Sequence, residues 1–341
     1  MKASRQFDDL RGPILRSVSR SFYLSLRLLP TALRDPLSLA YLLARATDTI
    51  ADTSGAPAKL RAEALRTLAG AIAGTAPSDV LVLLGKSFAA LQTNEAERSL
   101  IQALPIALEW LESTEDDDRR EVRNVLNNIT HGQALDLERF GAGAEVRALE
   151  TAADLDQYTY LVAGCVGEFW TRICFAHVGN FSERPEPEML ERGVRYGKGL
   201  QLINILRDLG SDLRQGRSYL PAEELNSLGV APEEILSNAS RVEPLVRQWR
   251  EKAERGVEAG IDYACAIRNR RIRFATALPA LIGARTLALL RGAGMEVFAQ
   301  KIKISRAEVR RIMALTALAS PRALRATFQK LQGAAVYKPP S

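Results

Sequence analysis

The chain has 341 residues, of which 47% are apolar and 25% are charged, a balance typical of a globular protein with a sizeable core. Its formal net charge is +6, a mild excess that does not by itself indicate nucleic-acid binding and also suits an anionic small substrate or an acidic membrane surface. The three cysteines do not have the spacing of a disulfide framework or a zinc site. The two histidines are isolated in the sequence, which argues against a His-rich metal site and a Ser-His-Asp triad. Carboxylates must then carry any metal chemistry.

A helical period dominates the chain. In chain order, we predict helices over residues 36–52, 59–73, 118–140, 154–177, 189–213, 242–268, 272–290 and 306–318. Prolines fall between these segments, and Ser305 is placed to cap the last helix with Glu308 three residues on. We find no convincing alternating strand pattern, and we interpret residues 215–221 as a short loop. The prediction is one all-α domain over residues 1–331 with a loose tail, 332–341.

The chain shows no targeting or membrane-spanning segment. Residues 1–12 are polar, which argues against a signal peptide, and no run of 18 uninterrupted apolar residues occurs. The most apolar stretch, residues 274–290, contains Pro279 and Arg285, and we interpret it as a buried helix. We therefore expect a cytoplasmic protein, and peripheral contact with the inner face of the membrane stays open.

Two aspartate pairs are the most informative feature of the chain. Asp48 and Asp52 form the first pair, Asp208 and Asp212 form the second, and an arginine lies close to each. Residues four apart share one helix face, so each pair directs two carboxylates the same way. One such pair is usually a solvated face, but two pairs within apolar helices favour a site for Mg²⁺, which binds carboxylates together with substrate phosphates. Two pairs facing each other across a cavity would hold a diphosphate.

Each aspartate pair extends into a longer polar stripe at helical spacing. The two stripes are Tyr41, Arg45, Asp48 and Asp52, and Gln201, Asn204, Asp208 and Asp212. The second stripe lies beside Leu202, Ile203, Ile205 and Leu206 in the sequence. Amide and carboxylate groups in register inside an apolar helix suggest a polar lining rather than a surface.

Four motifs in the same order resemble those of the squalene/phytoene synthase family. They occupy residues 19–22, 41–52, 158–167 and 204–221, and the resemblance spans residues 15–290. It implies an isoprenoid-synthase-type helical bundle with a central cavity, acting as a Mg²⁺-dependent prenyltransferase.

The resemblance also implies roles for individual residues. The metal ligands would be Asp48, Asp52, Asp208 and Asp212. The residues that contact diphosphate oxygens would be Arg20, Arg45, Arg207 and Arg217, whose planar forks match phosphate geometry. Tyr158 corresponds to the catalytic tyrosine of the family. The residues that line the substrate site would be Ser21, Phe22, Tyr41, Gln201 and Asn204.

Two C-terminal segments resemble the squalene-forming branch of the family. They are residues 274–280 and residues 297–304, the second being associated with NADPH use and carrying Lys301 and Lys303 as candidate cofactor contacts. Ile304 and Ser305 depart from the usual Lys and Gly. The expected reaction joins two farnesyl diphosphates into presqualene diphosphate, which NADPH then reduces to squalene.

Other outcomes stay open. Dehydrosqualene, hydroxysqualene and phytoene are alternative products within the family. A non-catalytic assembly factor is a rival from another class, although all four aspartates are retained. The arginine run at residues 268–273 lacks interleaved aromatic residues, so we do not expect a nucleic-acid partner.

Overall fold

The structure is a computed structural model that describes residues 6–19, 22–76, 78–141 and 145–334, apart from the side chains of residues 22, 24, 25 and 78–80. These residues are almost entirely helical, which confirms the predicted all-α class. Arg20, Ser21 and most of the predicted tail, residues 335–341, lie outside the described residues.

The chain divides into two compact units. The first unit comprises Met1–Ala142 and Arg172–Gly179, and the second comprises Gly143–Thr171 and Asn180–Ser341. The division of the chain into one domain over residues 1–331 and a tail stays a prediction.

Helices build the first unit, and the predicted helices 36–52, 59–73 and 118–140 are present there with slightly different ends. After a π-helical turn, Leu10–Ile14, the helices are Leu15–Ser19 (α1), Phe22–Leu28 (α2), Thr31–Ala51 (α3), Ala58–Ala73 (α4), Ser78–Leu91 (α5), Glu95–Gln102 (α6), Leu104–Glu112 (α7) and Asp116–Phe140 (α8). The core lies where α3 packs against α4, α7 and α8. Residues Leu39, Leu42, Leu43 and Ile50 of α3 are fully buried there, so one face of the first aspartate helix is anchored in the core.

The second unit is also helical. Its elements are Arg147–Leu149 (β1), Ala152–Thr159 (α9), Cys165–His177 (α10), Glu186–Arg214 (α11), Arg217–Pro221 (β2), Ala222–Ser227 (α12), Ala239–Ala266 (α13), Arg270–Ala293 (α14), Arg306–Thr316 (α15) and Pro321–Gly333 (α16). The predicted helices are present there, although a π-helical turn divides the one predicted over residues 154–177, and two further helices, α12 and α16, were not predicted. A π-helical turn, Tyr160–Gly164, joins α9 to α10, and α10 ends in residues assigned to the first unit. The cap predicted at Ser305 is confirmed, since its hydroxyl accepts the Glu308 N–H at 3.1 Å.

The interpretation of residues 215–221 as a loop was wrong. Arg217–Pro221 is a short strand that pairs in parallel with Arg147–Leu149, with a register irregularity between Ala148 and Leu149. Residues 218–221 are all buried, so the strand shows no alternation of polar and apolar residues. Its partner lies 70 positions earlier in the chain, and local pattern carries no information about such pairing.

The apolar helix α14 is a core element of the second unit. Among the described residues, Arg270–Phe298 is long and apolar enough to cross a membrane, yet 78% of its most apolar window is buried within the protein. Side chains along it such as Phe274, Leu281 and Leu287 are among the buried residues. This burial supports the interpretation of residues 274–290 as a buried helix.

Glycines set a close helix contact in the second unit. Helix α11, which carries the second aspartate pair, crosses α13 where Gly199 meets Gly256. A Cβ added to Gly256 would lie 2.6 Å from Gly199 Cα, and the obstruction is backbone, which cannot move aside cheaply. The spacing of these two helices therefore depends on the absence of side chains at both positions.

We expect Gly256→Ala to lower the free energy of unfolding by about 1–3 kcal/mol, because the added methyl group forces α11 and α13 apart. Chemical denaturation monitored by circular dichroism measures the change. Gly55→Ala is the matched control, since a Cβ there meets nothing within 4 Å. Equal stability of Gly256→Ala and wild type would contradict the packing described here.

Candidate active site

The first aspartate pair lies at the C-terminal end of α3. Asp48 is half-buried in the last turn, whereas Asp52 is the exposed residue that caps the helix, and its N–H donates to the Asp48 carbonyl at 2.9 Å. The C-terminus of a helix carries partial negative charge, so two carboxylates there repel both each other and the helix dipole. A bound cation would relieve this unfavourable arrangement.

Asp48 is held by a residue that the sequence analysis did not single out. Gln133 of α8, itself 9% exposed, donates its Nε2–H to Asp48 Oδ1 at 2.5 Å. The other amide atom, Gln133 Oε1, is buried without a hydrogen-bond partner among the described residues. The two residues are 85 positions apart, so no local signal in the sequence connects them.

Burial and the neighbouring Asp52 charge raise the pKa of Asp48 to about 6. Arg45 and the Gln133 hydrogen bond act in the opposite direction but do not compensate fully. A carboxylate with uncompensated negative charge, beside a second one, has the donor chemistry of a Mg²⁺ site. The residues present at this pair therefore fit the predicted metal.

The other two members of the first stripe also have partners within the first unit. Arg45 forms an ion pair with Glu97 at 2.6 Å, and the Arg45 Nε is buried without a hydrogen-bond partner among the described residues. The Tyr41 hydroxyl donates to the Val18 carbonyl at 3.3 Å. Phe22 begins α2, but its side chain is outside the described part of the chain.

The second aspartate pair lies near the C-terminal end of α11. Asp208 and Asp212 are half-buried, while the intervening Leu209 is buried. Farther along the same stripe, Asn204 is exposed and donates to Gln201 Oε1 at 3.3 Å. The four polar side chains thus share one side of a helix whose leucines and isoleucines face the core.

Two cations surround Asp208. Arg207 contacts both carboxylate oxygens, with Nε 3.1 Å from Oδ1 and Nη2 2.9 Å from Oδ2, and Lys301 Nζ lies 2.7 Å from Oδ1. Burial alone would raise the pKa of Asp208, but the hydrogen bonds and charges of Arg207 and Lys301 outweigh it and hold the pKa below its usual range. Asp208 is therefore a stable anion inside a positively charged cluster, unlike Asp48.

A glycine contact brings Lys301 to Asp208. A Cβ on Gly210 would lie 2.3 Å from the Phe298 carbonyl oxygen, so only glycine lets the segment after α14 lie directly on α11. Arg214 then donates to the Phe298 and Ala299 carbonyls at 3.3 and 3.1 Å. Lys303, the second candidate cofactor contact, is exposed.

The candidate catalytic Tyr158 lies on α9 and is 6% exposed. Its ring stacks on Tyr219 of β2 with centroids 5.0 Å apart, and its hydroxyl donates to the Tyr219 hydroxyl at 3.4 Å. Arg217, a candidate diphosphate contact, is a half-buried residue of the same strand. The strand missed by the sequence analysis thus connects two predicted site residues and adds Tyr219 to them.

Within the described residues no group of three or more His, Cys, Asp or Glu side chains could hold a metal by itself. Each aspartate helix offers two carboxylates, which is the number that Mg²⁺ commonly takes from a protein when substrate phosphates and water complete its coordination. The assignment of individual residues to metal, diphosphate and cofactor stays a prediction.

We expect Asp48→Asn to raise the free energy of unfolding by about 1–2 kcal/mol at pH 7.5, after allowance for partial exposure of the carboxyl group. Because the folded-state pKa is raised to about 6, protonation favours the folded state at low pH, and this contribution is lost as the pH rises through 6. The gain from the substitution should therefore shrink at pH 4. Denaturation of both variants at the two pH values measures it.

Asp52→Asn serves as the control for that measurement, and it should give a smaller gain because Asp52 is exposed. A loss of stability in Asp48→Asn at pH 7.5, or a gain of equal size at pH 4, would show that burial does not penalise the Asp48 charge.

Comparison with characterised proteins places these features in a family. The family model described as squalene/phytoene synthase matches residues 15–308. Similar proteins include a 15-cis-phytoene synthase of Synechocystis sp., 28% identical over 71% of this chain and 66% of its own length. A squalene synthase of Eremothecium gossypii is 27% identical over 82% of this chain and 61% of its own length. The chain thus spans less than two thirds of these two relatives.

Solved structures show the same fold at low sequence identity. A complex of TcSQS with a ligand matches with a TM-score of 0.75 and 20% identity, covering 96% of this chain and 90% of that one. A dehydrosqualene synthase in complex with ligand matches with a TM-score of 0.63 and 22% identity, covering 96% and 98%. The family match covers most of the chain, and we conclude that the protein belongs to the squalene/phytoene synthase family.

Proposed function

We propose that the protein is a Mg²⁺-dependent prenyltransferase that condenses two molecules of farnesyl diphosphate head to head and reduces the product with NADPH to squalene. One observation carries this proposal: in each aspartate motif an i, i+4 carboxylate pair ends a long helix, and basic side chains lie at or beside the pair. Family membership supplies the reaction type, and the chemistry of these side chains supplies the reason that the motifs would serve it.

The first step of the proposed reaction requires stabilisation of the pyrophosphate leaving group. Ionisation of an allylic diphosphate separates a pyrophosphate anion from a carbocation, and the anion must be stabilised where its charge develops. Bound at the aspartates, Mg²⁺ would supply positive charge to the diphosphate oxygens. Arg207 and Lys301 are already held within 3.1 Å of Asp208, so they lie beside the predicted metal ligands without reorganisation.

The carbocation needs a different environment. It requires π faces and the absence of water, since water would convert it to an alcohol. The stacked rings of Tyr158 and Tyr219 are both buried and supply such faces. The loss of a proton that gives presqualene diphosphate needs an acceptor, and the released diphosphate supplies one. We assign to the Tyr158 hydroxyl, hydrogen-bonded to the Tyr219 hydroxyl, the relay of that proton to the diphosphate.

The choice of squalene rests on the two C-terminal segments, residues 274–280 and 297–304. The contact of Lys301 with Asp208 favours a role for this lysine at the diphosphate, which leaves Lys303 as the candidate contact for a cofactor phosphate. Phytoene formation from a C20 diphosphate, without NADPH, is the second candidate, because relatives with that name are as similar to this chain as the squalene synthases are. Dehydrosqualene and hydroxysqualene are the remaining products of the same chemistry.

Incubation of the purified protein with farnesyl diphosphate, Mg²⁺ and NADPH should yield squalene, identified by gas chromatography and mass spectrometry. Omission of NADPH should stop the reaction before squalene, and Asp48→Asn should lower turnover by about 10³-fold or more while the circular dichroism spectrum stays unchanged. The matched control is Asp35→Asn, an aspartate of α3 outside the polar stripe, paired with Arg11.

Products other than squalene would change the proposed activity in different ways. Dehydrosqualene or hydroxysqualene in the presence of NADPH would reject the reduction but keep the condensation. A C40 product from geranylgeranyl diphosphate would identify a phytoene synthase. No product from either diphosphate would favour the non-catalytic rival.

We expect Lys301→Gln to raise the KM for farnesyl diphosphate about tenfold and to change the KM for NADPH by less than about twofold, because removal of the cation leaves the diphosphate one charged contact short. Steady-state kinetics with each substrate varied in turn measures both constants.

Lys303→Gln is the matched variant, two residues away at another exposed lysine, and it should show the opposite pattern. A selective effect of Lys301→Gln on NADPH would return this lysine to the cofactor site that the sequence analysis assigned to it.

A further inference from the structure

Positive charge is concentrated in the last part of the chain. Residues 262–334 contain 14 lysines and arginines against three acidic residues, whereas residues 1–261 contain 31 basic and 37 acidic residues. The net charge of +6 therefore conceals a basic C-terminal segment attached to a chain that is otherwise acidic. All of residues 262–334 belong to the second unit.

The three acidic residues of this segment already have partners. Asp262 lies 2.6 Å from Arg325, Glu308 lies 2.7 Å from Arg285, and Glu296 accepts a hydrogen bond from Gln300 at 2.8 Å. Arginines outnumber these acids, and several are exposed: Arg268, Arg270, Arg271, Arg306, Arg310, Arg311 and Arg322. The exposed acid Glu183 lies near Arg268, since its N–H donates to the Ala266 carbonyl, but it offsets only one of these charges.

Two large apolar side chains are exposed in the same region. Leu315, near the end of α15, is 60% exposed, and Leu318, in the turn before α16, is 80% exposed. Arg311 and Leu315 are four residues apart on α15 and both are exposed, whereas the adjacent Ile312 and Thr316 are buried. Leu318 follows two residues after the end of the helix. Exposed leucines next to arginines are the combination of side chains that membrane-surface helices present to lipid.

Two contacts place this turn beside the arginine run at residues 268–273. Arg270 Nη2 donates to the Leu318 carbonyl at 3.5 Å, and Cys265 Sγ contacts the Pro321 carbonyl at 3.4 Å. Leu318 therefore lies next to the junction of α13 and α14, where Arg270 and Arg271 are exposed, and Leu315 is three residues before it. We define the C-terminal basic surface by its residues: Arg270, Arg271, Arg311, Leu315, Leu318 and Arg322.

We propose that the C-terminal basic surface docks the protein on an anionic lipid bilayer, with Leu315 and Leu318 inserted among the acyl chains and the surrounding arginines in contact with lipid phosphates. Each basic residue near an anionic leaflet and each buried leucine adds to the affinity, so neither component alone is sufficient. Charge complementarity selects the lipid, and the leucines select a bilayer over a free anion.

The same surface fits nucleic acid poorly. Single strands bind through exposed aromatic rings, whereas the aromatic residues of this segment, Tyr263, Phe274, Phe298 and Phe328, are all buried. Exposed leucines add nothing to phosphate contacts along a duplex. The proposal does not depend on the enzymatic activity, because lipid binding requires no substrate.

Sedimentation of the full chain with vesicles of phosphatidylglycerol and phosphatidylcholine tests this surface. Binding should exceed that to pure phosphatidylcholine vesicles by about tenfold or more and should weaken as salt is added. The double variant Leu315→Ser/Leu318→Ser should bind about tenfold more weakly, and Arg270→Gln/Arg311→Gln should do the same with a smaller salt dependence.

Matched controls carry the same changes elsewhere. Leu60→Ser/Leu83→Ser alters leucines that are 43% and 68% exposed on α4 and α5, and Arg16→Gln/Arg66→Gln alters two exposed arginines of the first unit. Both should bind like the wild type, and thermal unfolding confirms that every variant is folded. The proposal is rejected by equal binding to neutral vesicles, by unaltered binding of the two test variants, or by tighter retention on duplex DNA that ignores the leucine changes.

Discussion

The compensation of half-buried carboxylates is the constraint on which this structure depends. A carboxylate removed from water must find a cation or hydrogen-bond donors, or its pKa rises and it is protonated. Asp208 has Arg207 and Lys301, and its pKa stays low. Asp48 has one strong donor, Gln133, together with a like charge four residues on, and its pKa rises to about 6. The two motifs look alike in sequence but differ in how much positive charge the protein itself supplies.

Close backbone contacts in the second unit make that compensation possible. The pairing of Gly199 with Gly256 sets α11 against α13, and Gly210 admits the Phe298 segment onto α11 near its C-terminal end. Lys301 follows three residues later and reaches Asp208. Any side chain at Gly210 would collide with the Phe298 carbonyl, so the charge environment of the second motif is a consequence of helix packing rather than of neighbouring sequence.

The proposed reaction and the C-terminal basic surface are related through the solubility of the substrate and product. A prenyltransferase of the proposed kind takes an amphiphilic diphosphate and releases a hydrocarbon that water does not dissolve. Part of the C-terminal basic surface lies on α15, which begins five residues after Lys301, and the whole surface belongs to the same unit as the second aspartate helix. Docking of this surface on a bilayer would hold that unit at the place where such substrates and products partition.

The sequence by itself determined the helical class, the positions of the long helices, the two i, i+4 aspartate pairs and the family, because helical period and motif spacing are local properties. Tertiary structure alone decided which partner each of these side chains has. Gln133 on Asp48, Lys301 on Asp208 and Tyr219 on Tyr158 each join residues more than 60 positions apart. The strand Arg217–Pro221 likewise exists because Arg147–Leu149 pairs with it. Such contacts arise from packing between distant segments, and no spacing within a single helix encodes them.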